Sequence, residues 1–354
     1  MDELTIDVYD QRGARWAECR QPVRRADAEA FGRRVTPATL RIDLGCGAGR
    51  YTADLGRPVI GLDASWTMLA LCRRQTDAPL VQGDLEALPF ARQCLHGGWA
   101  NMSYLHVPRH RLPLALAELH RILVVDAPVD IQVLAGDYEG RALPDDDIGD
   151  RFFASWPPEM LRDVVVGAGF DVTDLRVAGD VVRVSAVRAR TLADIVGPAM
   201  RILMVGLNPS VYSADAGIGF ARPGNRFWPA AIAAGLVTRP RDPYHALEAH
   251  GVGMTDAVKR ATVGANELTA GEYESGMGRV KRLARWLQPS VVCMVGLSGW
   301  RAAVDRRAGA GLQRERFGGR PVYVMPSTSG LNAHAQLPDL VAHFGAALAA
   351  GTHD

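Results

Sequence analysis

Two segments of this chain hold residue types that could do chemistry. The first is Asp43-Leu44-Gly45-Cys46-Gly47-Ala48-Gly49, followed downstream by Asp63 and Asp84. Three glycines let a backbone turn tightly and approach a ligand closely. An acid about 20 residues beyond such a loop can accept hydrogen bonds from ribose hydroxyls. The second is Gly206-Leu207-Asn208-Pro209-Ser210, paired with MPSTSGLNAH at 325–334. Asn208 is a neutral amide, too weak for a general base, but its carbonyl oxygen can hold a water in place. The five cysteines show no CxxC spacing and no neighbouring His cluster, so neither zinc nor an iron–sulfur cluster is expected, and no metal. Cys46 is the one thiol inside a candidate loop, and small-residue packing is its plainest role.

Both segments need the same support, a short apolar strand, a glycine turn and a helix. LRIDLGCGAGRYTADL at 40–55 and RILMVGLNPSVYSADAG at 201–217 read that way, each as the first strand of its own parallel sheet. Further strands are expected at 59–63, 80–84, 97–103 and 128–134, with a helix at 114–123. A hairpin through Gly179-Asp180 joins two strands over 169–189. The second half adds strands at 250–258, 289–297 and 321–327 and a helix at 274–287, for a sheet of about four strands. Residues 191–200, broken by Gly197-Pro198, are the expected linker between domains 1–190 and 201–354. In a parallel sheet the strand C-termini share one edge. Asn208 and the 326–333 loop should therefore face one cleft.

The first segment resembles the class I S-adenosylmethionine methyltransferases over roughly residues 36–190. The resemblance implies a Rossmann-like sheet and a cofactor site from Asp43, Gly45, Cys46, Gly47 and Gly49, with Asp63 on the ribose and Asp84 near the adenine. An NAD-binding turn is the weaker alternative, because GCGAG is not GxGxxG. GLNPSVYSADAGIGFARPGNRFWPA, HGVGMTDAVKRATVGANELT and MPSTSGLNAH resemble the mismatch-specific uracil/thymine DNA glycosylases over about 200–345. This implies a three-layer α/β/α sandwich of the uracil-DNA glycosylase superfamily that needs no cofactor. It also implies a water placed by Asn208 and a base pocket from Gly206, Leu207, Pro209, Ser210, Phe220 and Ser327. Phe220 matches the aromatic that stacks on an extruded pyrimidine, and Leu331 the apolar plug that fills the gap left in the duplex. Ser329, Gly330, Asn332, Lys259 and Arg260 are the other expected DNA contacts. Ser210 stands where many relatives carry glycine. Ser327-Thr328 replaces an Asn-Pro of one common form, and Ala333 its Arg. The choice among uracil, thymine and other modified bases is therefore open.

Charge separates the halves. From Ala199 onward there are 17 Lys and Arg against 11 Asp and Glu, and 23 against 28 before it. A basic half beside an acidic one fits a nucleic-acid-binding domain joined to a different one. No apolar run is long enough to span a bilayer, and the acidic N-terminus MDELTIDVYD lacks a signal peptide's apolar core. A cytoplasmic protein without a membrane partner is expected. The reading is an α/β protein of two domains that excises a mispaired or damaged base from double-stranded DNA and carries a methyltransferase-like domain. The rivals are a methyltransferase delivered to DNA by a weakly active or inactive glycosylase-like module, and a non-catalytic damage-binding protein. No motif encodes the methyl acceptor or the oligomeric state.

Overall fold

The computed structural model describes residues 1–19, 23–141, 143 and 146–352. Packing divides it into two compact units, Met1–Ala189 and Arg190–Asp354. Among the described residues no helix is long and apolar enough to cross a membrane.

The first unit opens with two helices that the sequence reading did not anticipate, α1 (Glu3–Cys19) and α2 (Arg25–Arg34). Then come β1 (Arg41–Leu44), β2 (Val59–Asp63), α3 (Trp66–Cys72), β3 (Leu80–Gln82), β4 (Gly98–Asn101), α4 (Leu112–Ile122) and β5 (Pro128–Leu134). A two-stranded piece, β6 (Glu139–Gly140) with β7 (Phe153–Ala154), leads to α5 (Pro158–Gly167) and the hairpin β8 (Phe170–Ala178), β9 (Val181–Arg188). Seven strands form one sheet in the order β3-β2-β1-β4-β5-β9-β8. The first five are parallel, and the closing hairpin is antiparallel. Strand order reverses between β1 and β4, so the glycine loop after β1 sits at the switch point where such sheets bind ligands. The segment after that loop, expected as a helix, instead runs as consecutive turns over 47–55. Gly45, Gly47 and Gly49 all have positive φ, which interrupts the right-handed backbone that a helix requires.

The second unit contains β10 (Ile202–Gly206), α6 (Val211–Ala216), α7 (Phe227–Ala233), α8 (Pro243–His250), β11 (Val252–Asp256), α9 (Ala270–Leu287), β12 (Val292–Val295), α10 (Leu297–Ala303), β13 (Gly311–Phe317), β14 (Arg320–Met325) and α11 (Leu337–Ala350). The sheet order is β11-β10-β12-β14-β13. The four expected strands are parallel, and β13 adds an unanticipated antiparallel edge. Both faces are covered. Ile202, Met204, Val252, Met254, Cys293 and Met325 pack with α7, α8 and α11. The alternate residues Leu203, Val205, Val292, Met294, Val322 and Val324 are also buried, so the opposite face is covered too. There α9 presents Tyr273, Met277, Val280, Ala284 and Leu287 at helical spacing. Thr269 starts that helix with a capping box. Its hydroxyl accepts from the Glu272 N–H, and the Glu272 carboxylate accepts from the Thr269 N–H. Such a cap contributes about 1 kcal/mol. The result is a three-layer α/β/α sandwich.

Residues 191–200, expected as a linker, are packed into this second unit. Ile195 pairs with Met254 through two backbone hydrogen bonds of 2.8 and 2.9 Å. Asp194 is buried, with Arg279 at 2.6 Å and Lys259 at 2.8 Å. Proline and glycine broke the local pattern here, but long-range ion pairing holds the segment in place.

Candidate functional sites

In the first unit, Gly45 and Cys46 both donate backbone N–H to the Leu62 carbonyl, which ties the glycine loop to the end of β2. A Cβ at Gly45 would collide with Ser103, and one at Gly49 would lie 2.6 Å from Cys72 Sγ. Only the indole of Trp16, 3.8 Å away, would meet one at Gly47. Gly45 and Gly49 are therefore glycine for packing, whereas a Cβ at Gly47 would make only ordinary van der Waals contact with Trp16 of α1. Asp63 closes β2. Its carboxylate accepts from Gly47 N–H at 2.8 Å and Ser65 N–H at 2.9 Å, bracing the loop directly. Burial nevertheless pushes Asp63 up to about 6. Asp43 is buried with one hydroxyl partner, Thr52 at 2.7 Å, and burial pushes it up to about 7. Cys46 is buried beside Leu69 and Cys72, a packing position. Asp84 accepts from the Met1 ammonium at 2.6 and 2.7 Å and from the Glu86 N–H at 3.0 Å. Sequence reasoning missed the roof over this loop, which α1 supplies. Asp10 accepts from Ser65 Oγ at 2.6 Å and from Thr67 N–H at 3.1 Å, and Trp16 lies over Gly47.

The second unit holds Asn208 between two loops. The segment after β10 is zipped to the segment after β11. Ala257 N–H donates to Gly206 O, Val258 N–H to Leu207 O, Thr262 N–H to Pro209 O and Val211 N–H to Thr262 O, at 2.9–3.1 Å. Within this frame Asn208 Nδ2 donates to Pro209 O at 3.1 Å, Arg260 O at 3.0 Å and Thr262 Oγ1 at 2.7 Å. Two of these partners are backbone carbonyls, which only accept, so the amide nitrogen must face them. The carbonyl oxygen Oδ1 is thereby turned the other way. Among the described residues nothing donates to it, and the residue is partly exposed. Thr262 was not foreseen as part of this arrangement, because its role rests on a contact 54 residues away.

Several residues expected in the pocket or on DNA have partners within the protein. The Leu207 side chain packs onto α10. A Cβ at Gly299 would lie 2.8 Å from its Cδ2, and one at Gly296 would lie 3.3 Å from its Cδ1. The hydroxyl of Ser210, expected in the base pocket, accepts from Ser213 N–H at 3.1 Å and caps α6. Lys259 is not a surface cation. Its ammonium is mostly buried on Asp194 and is spent there, because leaving a buried carboxylate unpaired would cost more than a phosphate contact returns. Arg260 is half exposed and bidentate to Glu272, at 2.7 and 3.1 Å.

The 326–335 loop is internally braced. Arg226 is the main staple, donating to Ser329 O at 2.8 Å, Asn332 O at 2.6 Å and Ala335 O. Asn332 turns inward, with Nδ2 on Ser327 O at 2.8 Å, and Ser327 Oγ accepts from Ser329 N–H at 3.2 Å. Gly330 passes so close to Gly224 that a Cβ would lie 2.8 Å from the Gly224 carbonyl oxygen. Leu331 stands at the tip, 83% exposed. Phe220 is partly buried, stacks on Phe227 at 4.0 Å and 8°, and lies against Gly206. Among the described residues no group of three His, Cys, Asp or Glu is placed to hold a metal.

Comparison with known proteins agrees with this division. Residues 193–350 match the family model of the uracil DNA glycosylase superfamily, and residues 42–126 match that of a methyltransferase domain. Among solved structures, one similar chain comes from a Haloferax volcanii methyltransferase–activator complex. It is 18% identical, over 52% of this chain and 97% of that one, with a TM-score of 0.45. The DhpI–SAH complex is 18% identical over 53% and 96% of the two chains, with a TM-score of 0.45. The Burkholderia thailandensis 1,6-didemethyltoxoflavin-N1-methyltransferase is 19% identical over 51% and 84%, with a TM-score of 0.42. This chain joins a methyltransferase domain to a domain of the uracil DNA glycosylase superfamily.

Proposed function

We propose that the second unit hydrolyses the N-glycosidic bond of uracil, or a related base, flipped from a mispair in double-stranded DNA. The observation that carries this reading is the orientation of Asn208. Bond cleavage leaves an oxocarbenium-like sugar and an anionic base, and water must reach the sugar carbon. A fixed amide oxygen with no protein donor can accept a hydrogen bond from that water and hold it on line, without acting as a base. Phe220, stacked on Phe227, is a firm platform for a flipped pyrimidine, and exposed Leu331 suits the plug that replaces it in the duplex. Labelled duplexes carrying G·U, G·T and A·U, assayed for abasic sites, test the activity. Asn208→Ala should abolish excision in single turnover while leaving duplex affinity within about twofold, because the residue places water and does not grip DNA. Excision at the wild-type rate overturns the assignment.

We further infer that the first unit binds S-adenosylmethionine. The glycine loop at the switch point of the sheet, braced by the Asp63 carboxylate on Gly47 N–H, supports this reading. The cofactor would supply an electrophilic methyl group on sulfur, and this chain's part is to hold it by Asp43, Asp63 and the loop.

A further inference from the structure

Lys259 and Arg260 are held by carboxylates of their own chain, so a duplex on the second unit needs other cations. The loop between α10 and β13 offers two. Arg306 and Arg307 are exposed, and among the described residues neither guanidinium has a partner. Asp305, the one acid of residues 304–310, is engaged by the backbone, where its carboxylate accepts from Arg307 N–H at 2.9 Å. The loop itself is fixed. Val304 and Asp305 N–H both donate to Trp300 O, at 2.8 and 3.2 Å, and Ala308 N–H donates to Asp305 O at 3.1 Å. Ala308 is buried, and its carbonyl accepts from Arg301 Nε at 2.8 Å. Two cations thus stand on a held backbone, so a ligand does not have to order the loop first.

Sheet register puts this loop on the edge that carries Asn208. Gly311 pairs with Val324, one residue before the end of β14, where the Leu331 loop begins. Val295 pairs with Met325, and Met294 with Val205, so the strand ends are level. Along that edge the order is the Asn208 loop after β10, α10 after β12, the Leu331 loop after β14 and the Arg306–Arg307 loop before β13. Strands lie about 4.8 Å apart, so the three spacings from β10 to β13 put the arginines roughly 15 Å from Asn208 along the edge, beyond the Leu331 loop. One strand of a duplex carries a phosphate about every 3.4 Å of axis, so this is a span of roughly four nucleotides.

We propose that Arg306 and Arg307 bind backbone phosphates of the duplex flanking the flipped base, as positioning residues that hold the DNA in register on this edge. This rests on the glycosylase reading above. A guanidinium without a carboxylate presents its planar fork to phosphate oxygens. Such contacts carry no base information, so the two residues set affinity and register and leave base choice to the pocket.

The test uses the full chain and a duplex with uncleavable 2′-fluoro-2′-deoxyuridine opposite G, its affinity measured by fluorescence anisotropy from 50 to 200 mM salt. Each phosphate contact contributes about 0.9 to the slope of log affinity against log salt, so Arg306→Ala/Arg307→Ala should flatten it by nearly two. The affinity lost should accordingly shrink by roughly tenfold between the lowest and highest salt. Arg306→Lys/Arg307→Lys should restore most of the slope. Lys281→Ala/Arg285→Ala is the control. It removes the same charge from exposed, unpartnered cations on the half of α9 that leads to β12, the edge opposite Asn208, and should leave the slope unchanged. On a cleavable G·U duplex, the arginine-to-alanine variant should raise the half-saturating concentration while keeping the maximal single-turnover rate within about twofold. An unchanged slope in that variant overturns the proposal, and so does an equal flattening in the control, which would reflect net charge alone. A wild type that binds this duplex with the predicted slopes but excises nothing from G·U refutes the glycosylase reading and leaves the phosphate contacts standing. A wild type that binds no duplex refutes both.

Discussion

Asp43 shows how a single residue can carry a cost that its ligand would relieve. It is buried with one hydroxyl partner, and its carboxyl is pushed up to about 7 by burial. An unfolded Asp titrates near 4, so between about pH 4 and 7 the folded state binds the extra proton. Stability contributed at this position therefore falls as pH rises through that window and is flat above it. Asp43→Asn should remove the fall, leaving the first unit more stable than wild type at pH 8 by roughly 2 to 4 kcal/mol and little changed at pH 4. Denaturant unfolding at the two pH values measures this. A cationic ligand at the end of β1 favours the ionised form. Binding of S-adenosylmethionine should accordingly release protons between pH 6 and 7, seen as a binding heat that changes with the buffer's own ionisation heat. Identical heats in phosphate and Tris would remove Asp43 and Asp63 from the contact.

At the scale of elements, the decisive pieces in the second unit are loops locked before any ligand arrives. The 326–335 loop owes its shape to Arg226 and Asn332, which consume its backbone carbonyls and leave Leu331 projecting. A side chain so exposed contributes little to stability, so Leu331→Ala should leave the unfolding midpoint unchanged within about 1 °C. On the proposed function its effect would belong to the duplex. Flipping a base costs a few kcal/mol of unstacking and unpairing, and a plug recovers part of it. The variant should slow excision from A·U most, from G·U less, and from single strands least. Equal slowing on all three would make Leu331 part of the pocket wall. Arg226→Ala should produce a similar duplex-selective loss and also a lower midpoint, because it frees the loop itself.

For the whole molecule, the physical boundary falls at Ala189–Arg190 and not after residue 200. Asp194 is buried among Arg279, Lys259 and Thr255, and the two cations hold its carboxyl below the usual range against the effect of burial. Removing one member of such a cluster leaves buried charge unpaired, at about 3 to 5 kcal/mol. Asp194→Ala should therefore destabilise the second unit by about that amount in chemical unfolding, far beyond an exposed Asp-to-Ala change. By the same reasoning a fragment of residues 190–354 should fold and a fragment of 201–354 should not, although the shorter one keeps every strand and Asn208. Equal stability of the two fragments, judged by circular dichroism melting, would show that the cluster is dispensable.

What the sequence by itself determined was local. Apolar runs gave the parallel strands, the glycine loop and GLNPS marked their ends, and Gly179-Asp180 gave the hairpin, because each depends on the identity of adjacent residues. The polar helix α1 and the charged edge strand β13 carry little apolar periodicity, and neither was foreseen from the pattern. Lys259 read as a DNA contact until Asp194, 65 residues earlier, claimed it. Leu207 sits in the motif yet packs onto α10, and Asp256, inside the 250–269 segment but given no role there, lies against Gly206 and Phe220. Which partner satisfies a charge, which way a side chain turns and which carboxyl is left without a donor depend on residues distant in the chain. Only the tertiary structure decided them, because pairing energy falls off within a few ångströms in space and has no memory of separation in sequence.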